Sequence, residues 1–188
     1  MKLPWRQRKR PAPRTQASPE AVASEPERVF AALHARGVRY VAIGGIAVQA
    51  HGHPRTTRDV DVLTDPSADN MERLAQALQD LDAELLGIDA HHLGIDPTSP
   101  ADLASGANFT LKTSAGRLDV FTDPEHLKGS AVWADIDERA LSIDIGSPAP
   151  IRVVGLDDLL RMKHAAGRER DLSDIAALTH RPNAQPGP

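Results

Sequence analysis

The stretch of residues 40–65, YVAIGGIAVQAHGHPRTTRDVDVLTD, constrains the fold more than any other part of the chain. An apolar run ends in two adjacent glycines, and a polar segment then leads to the alternating sequence Asp59–Val62. Successive residues of a β-strand face opposite sides, so both aspartates point to one side and both valines to the other, toward a core. The stretch therefore predicts a strand, a glycine turn, a short helix, a loop and a second strand.

A later segment repeats this frame. Residues 116–123, GRLDVFTD, share with residues 58–65, RDVDVLTD, the order aspartate, valine, apolar residue, threonine, aspartate. If the two strands are neighbours in a sheet, the carboxylates of Asp59, Asp61 and Asp119 converge. Such charges repel one another strongly unless a cation lies between them, and hard oxygen ligands favour Mg²⁺ or Mn²⁺ over zinc. The pattern predicts a divalent metal site at these aspartates.

The two glycines, Gly44 and Gly45, complete the predicted site. Without Cβ atoms their backbone can come close to a phosphate, and the start of the following helix offers N–H donors and the positive end of its dipole. A phosphate-binding turn beside a metal held by carboxylates is the arrangement that in-line phosphoryl or nucleotidyl transfer requires.

The rest of the chain alternates predicted helices and strands. Ser24 and Glu27 form a predicted capping box, with Ser24 as the N-cap of a helix that ends near Arg36. A hairpin around residues 114–116, two short strands within residues 141–154 and two closing helices follow. The predicted apolar stripes are Val29, Phe30 and Leu33 on the first helix and Met71, Leu74, Leu78 and Leu81 on a helix capped by Ser67. The predicted fold class is α/β (α+β), a mixed β-sheet covered by helices.

The predicted organisation is a disordered basic arm at residues 1–23, a core at 24–130, a strand–helix segment packed on the core at 131–181, and a disordered tail at 182–188. The arm contains lysines, arginines and prolines, and its first 19 residues include no acid. Such a composition cannot form a packed core. The arm is predicted either to contact nucleic acid or an acidic partner, or to act only as a solubilising tail.

Composition excludes several classes of protein. The chain has 188 residues, of which 40% are apolar, and no cysteine, so disulfide frameworks and cysteine-based zinc sites are excluded. Its longest apolar stretch contains two glycines and is too short to cross a bilayer. No apolar segment follows the N-terminal charges, as it would in a signal peptide. A cytoplasmic protein without a membrane partner is predicted.

In its residues and their spacing, the chain resembles the DNA polymerase β-type nucleotidyltransferase superfamily. The resemblance covers residues 30–180 and rests on the glycine pair, the segment RTTRDVDV and the aspartate of the later strand. The segment LDDLLRMKHAAGRERDLSDIAAL is similar to the C-terminal part of small bacterial nucleotidyltransferases, including toxins of abortive-infection toxin–antitoxin pairs. One departure is Gly45, which stands where many members have a serine that contacts phosphate.

This resemblance implies a site and its substrates. The superfamily uses an NTP as donor and Mg²⁺, or Mn²⁺, in catalysis. By matching position, Asp59 and Asp61 would bind metal, and Asp119 would bind metal and help to deprotonate the acceptor. The residues that would bind the nucleotide are Gly44, Gly45, Arg58, Lys163 and Arg168.

Several charged residues have a second interpretation. Lys163 lies on the apolar face of its predicted helix, so it needs an anionic partner, either a nucleotide phosphate or a carboxylate such as Asp174. Arg55 and Arg58 either clamp phosphate or neutralise the aspartates. Asp171 and Asp174 are predicted as N-cap and N3 residues of the last helix.

The sequence thus predicts a metal-dependent nucleotidyltransferase that moves an NMP from an NTP to a hydroxyl acceptor. The acceptor is a tRNA, a protein or a small molecule, and a toxin-like member would have a cognate antitoxin as partner. The alternative is a catalytically inactive protein of the same fold that acts as a binding or regulatory partner. The intact set of aspartates favours the enzyme.

Overall fold

The computed structural model describes residues 24–87, 94–106, 108–124, 127–146 and 149–180. The predicted basic arm and the predicted C-terminal tail lie outside these residues. Within them the chain forms one seven-stranded mixed sheet and seven helices, so the predicted mixed α/β fold is confirmed. No helix in these ranges is both long and apolar enough to cross a membrane.

The elements follow one another along the chain with short connections. The helices are α1 (Pro26–Ala35), α2 (Gly44–Ala50), α3 (Ala68–Asp80), α4 (Pro100–Leu103), α5 (Trp133–Arg139), α6 (Leu156–Ala166) and α7 (Glu169–Thr179). The strands are β1 (Tyr40–Ala42), β2 (Asp59–Thr64), β3 (Glu84–Leu85), β4 (Asn108–Thr113), β5 (Gly116–Phe121), β6 (Leu141–Ile143) and β7 (Ile151–Val153). Their order across the sheet is β3-β4-β5-β2-β1-β7-β6. Strand β2 runs parallel to β5 and β1 parallel to β7, whereas the other neighbouring pairs are antiparallel.

The two central strands β2 and β5 have one apolar face and one polar face. Val60, Val62, Leu118 and Val120 are fully buried, and the aspartates of these strands lie on the opposite face because side chains alternate along a strand. The apolar stripes of α1 and α3 join the same buried cluster as these valines, so both predicted stripes are confirmed. Burial of one such aliphatic side chain stabilises the fold by about 1.5–3 kcal/mol.

The start of α1 differs from the prediction. The helix begins at Pro26, its N-cap is Glu25, and no side chain caps it, so the predicted capping box of Ser24 and Glu27 is wrong. Proline suits the first helical position because its φ is already helical and its missing N–H needs no partner there. The backbone N–H of Glu25 donates instead to the carbonyl of Ala115 at 2.9 Å, which ties the start of α1 to the β4–β5 hairpin.

The C-terminal part of the chain is built into the sheet. Strand β7 pairs with β1 through Ala42 and Val153. Helix α6 then ends at Gly167, whose φ of 63° is left-handed. Arg168 is the N-cap of α7, so the predicted N-cap position of Asp171 is wrong. Asp171 is the N3 residue, and its carboxylate accepts a hydrogen bond from the Arg168 backbone N–H at 3.3 Å.

Candidate active site

The pairing of β2 with β5 brings the aspartates of both strands to one face of the sheet. The two strands are parallel neighbours, with Asp61 opposite Asp119 and Asp59 opposite Arg117. Convergence of the three carboxylates requires this pairing, and the in-register match follows the repeated sequence frame. Residues at 59, 61, 117 and 119 therefore share a face, because alternate residues of a strand point to the same side.

The surroundings of Asp61 change the pKa of its carboxylate. The pKa of Asp61 is raised to about 6, first by burial and then by the negative charges of Asp59 and Asp119. A hydrogen bond from the Gly45 backbone N–H and the positive charge of Arg168 act in the opposite direction. The aspartates therefore repel one another, and a cation between them would relieve that repulsion.

The glycine turn lies directly against Asp61. Gly44 has a φ of +59°, and a Cβ atom added there would be 2.6 Å from Cγ of Asp61. A Cβ atom on Gly45 would meet the side chain of Thr57 and would be 2.7 Å from Nη2 of Arg55. Any side chain at either position would therefore displace a charged group of the site. The predicted binding of phosphate by these glycines stays a prediction.

Asp119 has a partner that the sequence analysis did not consider. Nη2 of Arg117 lies 3.1 Å from Oδ2 of Asp119, whose side chain is 14% exposed. Among the described residues, no group of three or more His, Asp or Glu side chains is arranged to hold a metal ion as it stands. The oxygen donors of Asp59, Asp61 and Asp119 suit Mg²⁺ or Mn²⁺ in kind.

Lys163 is satisfied by carboxylates within the protein. Its side chain is 6% exposed, and its Nζ lies 2.6 Å from Oδ2 of Asp174 and 3.3 Å from Oδ1 of Asp171. Asp174 lies inside α7, so its predicted N3 position is wrong. Burial alone would raise the pKa of Asp171, but hydrogen bonds from Arg168 and Lys163 outweigh it and lower that pKa. A contact of Lys163 with phosphate stays a prediction.

The two predicted nucleotide-binding arginines lie in different surroundings. Arg58 is an exposed residue in the loop directly before β2. Nε of Arg168 donates to Oδ2 of Asp171 at 2.7 Å, and the Arg168 side chain is 76% exposed. The charge of Arg168 lowers the pKa of Asp61, so this guanidinium lies on the side of the aspartates.

Arg55 has a more buried position than either of them. Its side chain is 15% exposed, and its Nε lies 3.4 Å from Oδ1 of Asp174. Nε and Nη1 of Arg55 are both buried, and neither has a hydrogen-bond partner among the described residues. The sequence left the same two interpretations open for Arg55 and Arg58. The structure distinguishes the two residues, because Arg55 is largely buried beside Gly45 and Asp174 whereas Arg58 is exposed.

Two polar residues of the site were missed by sequence reasoning. Arg117 precedes Asp119 by two residues on β5 and donates to its carboxylate. Thr57 precedes Asp59 by two residues, and its hydroxyl donates to Oδ1 of Asp59 at 3.2 Å. The signal for Arg117 was present in the sequence, because the period of a strand places residues i and i+2 on one face.

The fold that carries this site is similar to the fold of a solved structure. The chain matches the crystal structure of a Thermotoga maritima protein proposed to be a nucleotidyltransferase with a TM-score of 0.50 and 13% identity. The match covers 82% of this chain and 93% of that chain. At this level of identity the likeness concerns the fold alone.

Two other solved structures match with lower TM-scores. An antigenic nucleotidyltransferase-like protein from Paracoccidioides brasiliensis has a TM-score of 0.47 and 18% identity, over 82% of this chain and 76% of that one. ANT(2″)-Ia, solved in complex with adenylyl-2″-tobramycin, has a TM-score of 0.43 and 15% identity, over 81% of this chain and 94% of that one. No protein-family model and no curated protein matches the sequence.

Proposed function

We propose that the protein is a metal-dependent nucleotidyltransferase that transfers an NMP from an NTP to a hydroxyl acceptor. The observation that supports this most directly is the register of β2 and β5, which places Asp61 opposite Asp119 beside the glycine turn. Burial is the largest cause of the raised pKa of Asp61, and repulsion from the other two carboxylates raises it further. Ionisable groups perturbed in this way cluster at functional sites.

Each aspartate has a role in the proposed reaction. Asp59, Asp61 and Asp119 would hold Mg²⁺ or Mn²⁺. The bound metal would polarise the phosphate oxygens and offset charge on the leaving pyrophosphate. The acceptor oxygen forms a bond to the α-phosphorus as the bond to pyrophosphate breaks, and Asp119 accepts the hydroxyl proton.

The nucleotide is held by groups around this face. Gly44 and Gly45 offer a backbone without side chains, and Arg58 and Arg168 offer guanidinium groups to the phosphates. Lys163 would first have to leave Asp174, so its contact with phosphate is a separate proposal with its own test. The acceptor is a tRNA, a protein or a small molecule, and a cognate antitoxin is the proposed partner if the protein acts as a toxin.

The test is incubation with each α-³²P-labelled NTP, Mg²⁺ or Mn²⁺ and a cell extract, followed by fractionation of the labelled acceptor. Wild type is expected to label one acceptor class. Asp61→Asn is expected to abolish labelling, whereas Asp135→Asn, an exposed aspartate of α5, should leave it intact. Absence of labelling with every NTP and both metals would contradict the proposal.

A catalytically inactive binding or regulatory protein is the second candidate. Asp119 is paired with Arg117, and Lys163 with Asp171 and Asp174, so these charges satisfy one another without a ligand. An inactive protein would label nothing, and its melting temperature would not respond to Mn²⁺. A rise in melting temperature with millimolar Mn²⁺ that Asp61→Asn removes favours the enzyme instead.

A further inference from the structure

Five charged residues form a continuous chain of ion pairs, called here the buried charge chain. It runs from Arg168 through Asp171, Lys163 and Asp174 to Arg55, with N···O distances of 2.7, 3.3, 2.6 and 3.4 Å in that order. Three of its members are cations and two are anions. The buried charge chain therefore carries one positive charge more than its own carboxylates can balance.

The unbalanced charge lies at the Arg55 end. At the opposite end, the side chain of Arg168 is 76% exposed and water can solvate it. The Arg55 side chain is 15% exposed, and Oδ2 of its partner Asp174 already accepts from Lys163 at 2.6 Å. Nε and Nη1 of Arg55 are buried with no hydrogen-bond partner. Buried N–H donors without acceptors destabilise a fold, so an arginine kept here at that cost is typical of a functional position.

The position of Arg55 indicates which ligand it would contact. Its Nη2 lies against Gly45, at 2.7 Å from the place where a Cβ atom would be. The backbone N–H of the same Gly45 donates to the carboxylate of Asp61. Gly45 therefore lies next to both this guanidinium and the Asp61 carboxylate, which puts the guanidinium within reach of an anion bound at the aspartates. The planar guanidinium fork fits the oxygen atoms of a phosphate group, to which it can donate two parallel hydrogen bonds.

We propose that Arg55 is a further cation that binds the phosphate chain of the nucleotide, with Asp174 holding its Nε in place. This assignment rests on the proposed nucleotidyltransferase function, and it gives a phosphate contact to Arg55 while Lys163 remains paired with Asp174. In this arrangement the phosphate accepts from Nη2 of Arg55, the guanidinium nitrogen that lies beside Gly45, while Nε stays next to Asp174.

Inorganic triphosphate is a suitable probe, because it presents the phosphate chain without a base to be chosen. Its dissociation constant is measured by calorimetry at fixed ionic strength for wild type, Arg55→Gln and Arg73→Gln. Arg73 is a half-exposed arginine of α3 that pairs with Asp69, so its variant controls for the loss of one positive charge. Arg55→Gln is expected to bind triphosphate about tenfold to a hundredfold more weakly than wild type, the range for one charge-assisted contact. Arg73→Gln should bind like wild type.

Two results would overturn the assignment. The first is an Arg55→Gln protein that binds triphosphate as tightly as wild type. The second is an Arg55→Gln protein that does not fold, because Arg55 would then be a structural partner of Asp174. Arg55→Lys, which keeps the charge and loses the fork, is expected to fold and to bind with intermediate affinity.

The same measurements separate this assignment from the proposed function. If wild type transfers no NMP but Arg55→Gln weakens triphosphate binding, the phosphate site stands and the transfer reaction fails. If wild type transfers an NMP and Arg55→Gln changes neither triphosphate binding nor the KM for the NTP, the transfer reaction stands and Arg55 is not the phosphate residue.

Discussion

The carboxylate of Asp61 interacts with the other two aspartates, with the Gly45 backbone and with Arg168. Burial raises its pKa to about 6, helped by Asp59 and Asp119, while the Gly45 N–H and Arg168 favour its ionised form. The glycine turn can pack this closely because Gly44 has no Cβ atom to overlap the carboxylate. The fold thus keeps the Asp61 carboxylate close enough to Asp59 and Asp119 for their negative charges to repel it, an arrangement typical of sites that bind a cation.

We expect Asp61 to make the metal-free protein less stable at neutral pH. Its pKa rises from 3.8 to about 6 on folding, so the folded state binds the proton more tightly. This contribution to stability is complete below the unfolded pKa and is lost as the pH rises through the folded pKa. The loss is about 3 kcal/mol, since one pKa unit corresponds to about 1.4 kcal/mol.

Urea unfolding of wild type and Asp61→Asn tests this expectation. The variant cannot ionise at this position, so its free energy of unfolding relative to wild type should be higher at about pH 7 than at about pH 4, by about 2 kcal/mol. Acids that do not interact with Asp61 titrate alike in both proteins and cancel in the comparison. Parallel pH profiles for the two proteins would show that Asp61 has an ordinary pKa when folded.

At the scale of elements, the pair α6–α7 is held together by charge as well as by apolar contacts. Lys163 of α6 reaches Asp171 and Asp174 of α7, and Asp174 also meets Arg55 from the loop before β2. A hydrogen bond from Arg170 to the carbonyl of Thr56, at 3.0 Å, makes a second contact with that loop. The C-terminal helices therefore support the loop that precedes the aspartates.

Lys163→Met is expected to destabilise the fold, because it leaves two buried carboxylates with one partner fewer. Removing one member of a buried ion pair costs about 3–5 kcal/mol, and the remaining contacts to Arg168 and Arg55 favour the lower end of that range. The measurements are the melting temperature and the NTP dissociation constant, with Lys128→Met, at an exposed position, as control.

Lys163→Met also decides between the two interpretations of this lysine. A destabilised variant with wild-type NTP affinity shows that Lys163 serves the helix pair. A variant that is as stable as wild type and binds NTP about 1.5–3 kcal/mol more weakly shows that the ammonium contacts phosphate.

At the scale of the whole molecule, the sheet is complete only when the C-terminal part of the chain has added its strands. Strand β1 lies between β2 and β7, and β7 is separated from β1 by most of the chain. Val153, Val154 and Leu159 belong to the same buried cluster as the valines of β2. The residues that position the site therefore depend on contacts made late in the sequence.

A chain of residues 24–140 is expected not to fold. It would lack β7, so β1 would become an edge strand that is paired on one side only. The apolar residues of β7 and α6 would also be missing from the core. Circular dichroism during thermal unfolding should show no cooperative transition, whereas a chain of residues 24–180 should keep one. A cooperative transition in the shorter chain would show that residues 24–130 form an independent core.

The periodic parts of the structure could be predicted from the sequence. The alternation in β2 and β5 separates valines from aspartates, and the helical spacing in α1 and α3 identifies their buried stripes. These predictions succeed because the period of an element is a local property of the backbone, and each residue's face follows from its place in the period. The shared frame of the two aspartate strands indicated, in addition, which strands meet.

The sequence by itself therefore determined the elements other than β3, α4 and α5, the mixed α/β fold class and the face on which the aspartates lie. Only the tertiary structure decided the partners of charged groups from different elements: Lys163 with Asp171 and Asp174, and Arg55 with a single carboxylate at 3.4 Å. The physical reason is that an ion pair depends on distances of a few ångströms between side chains from different elements. Those distances are set by how helices and strands pack, and no local pattern of residues records them.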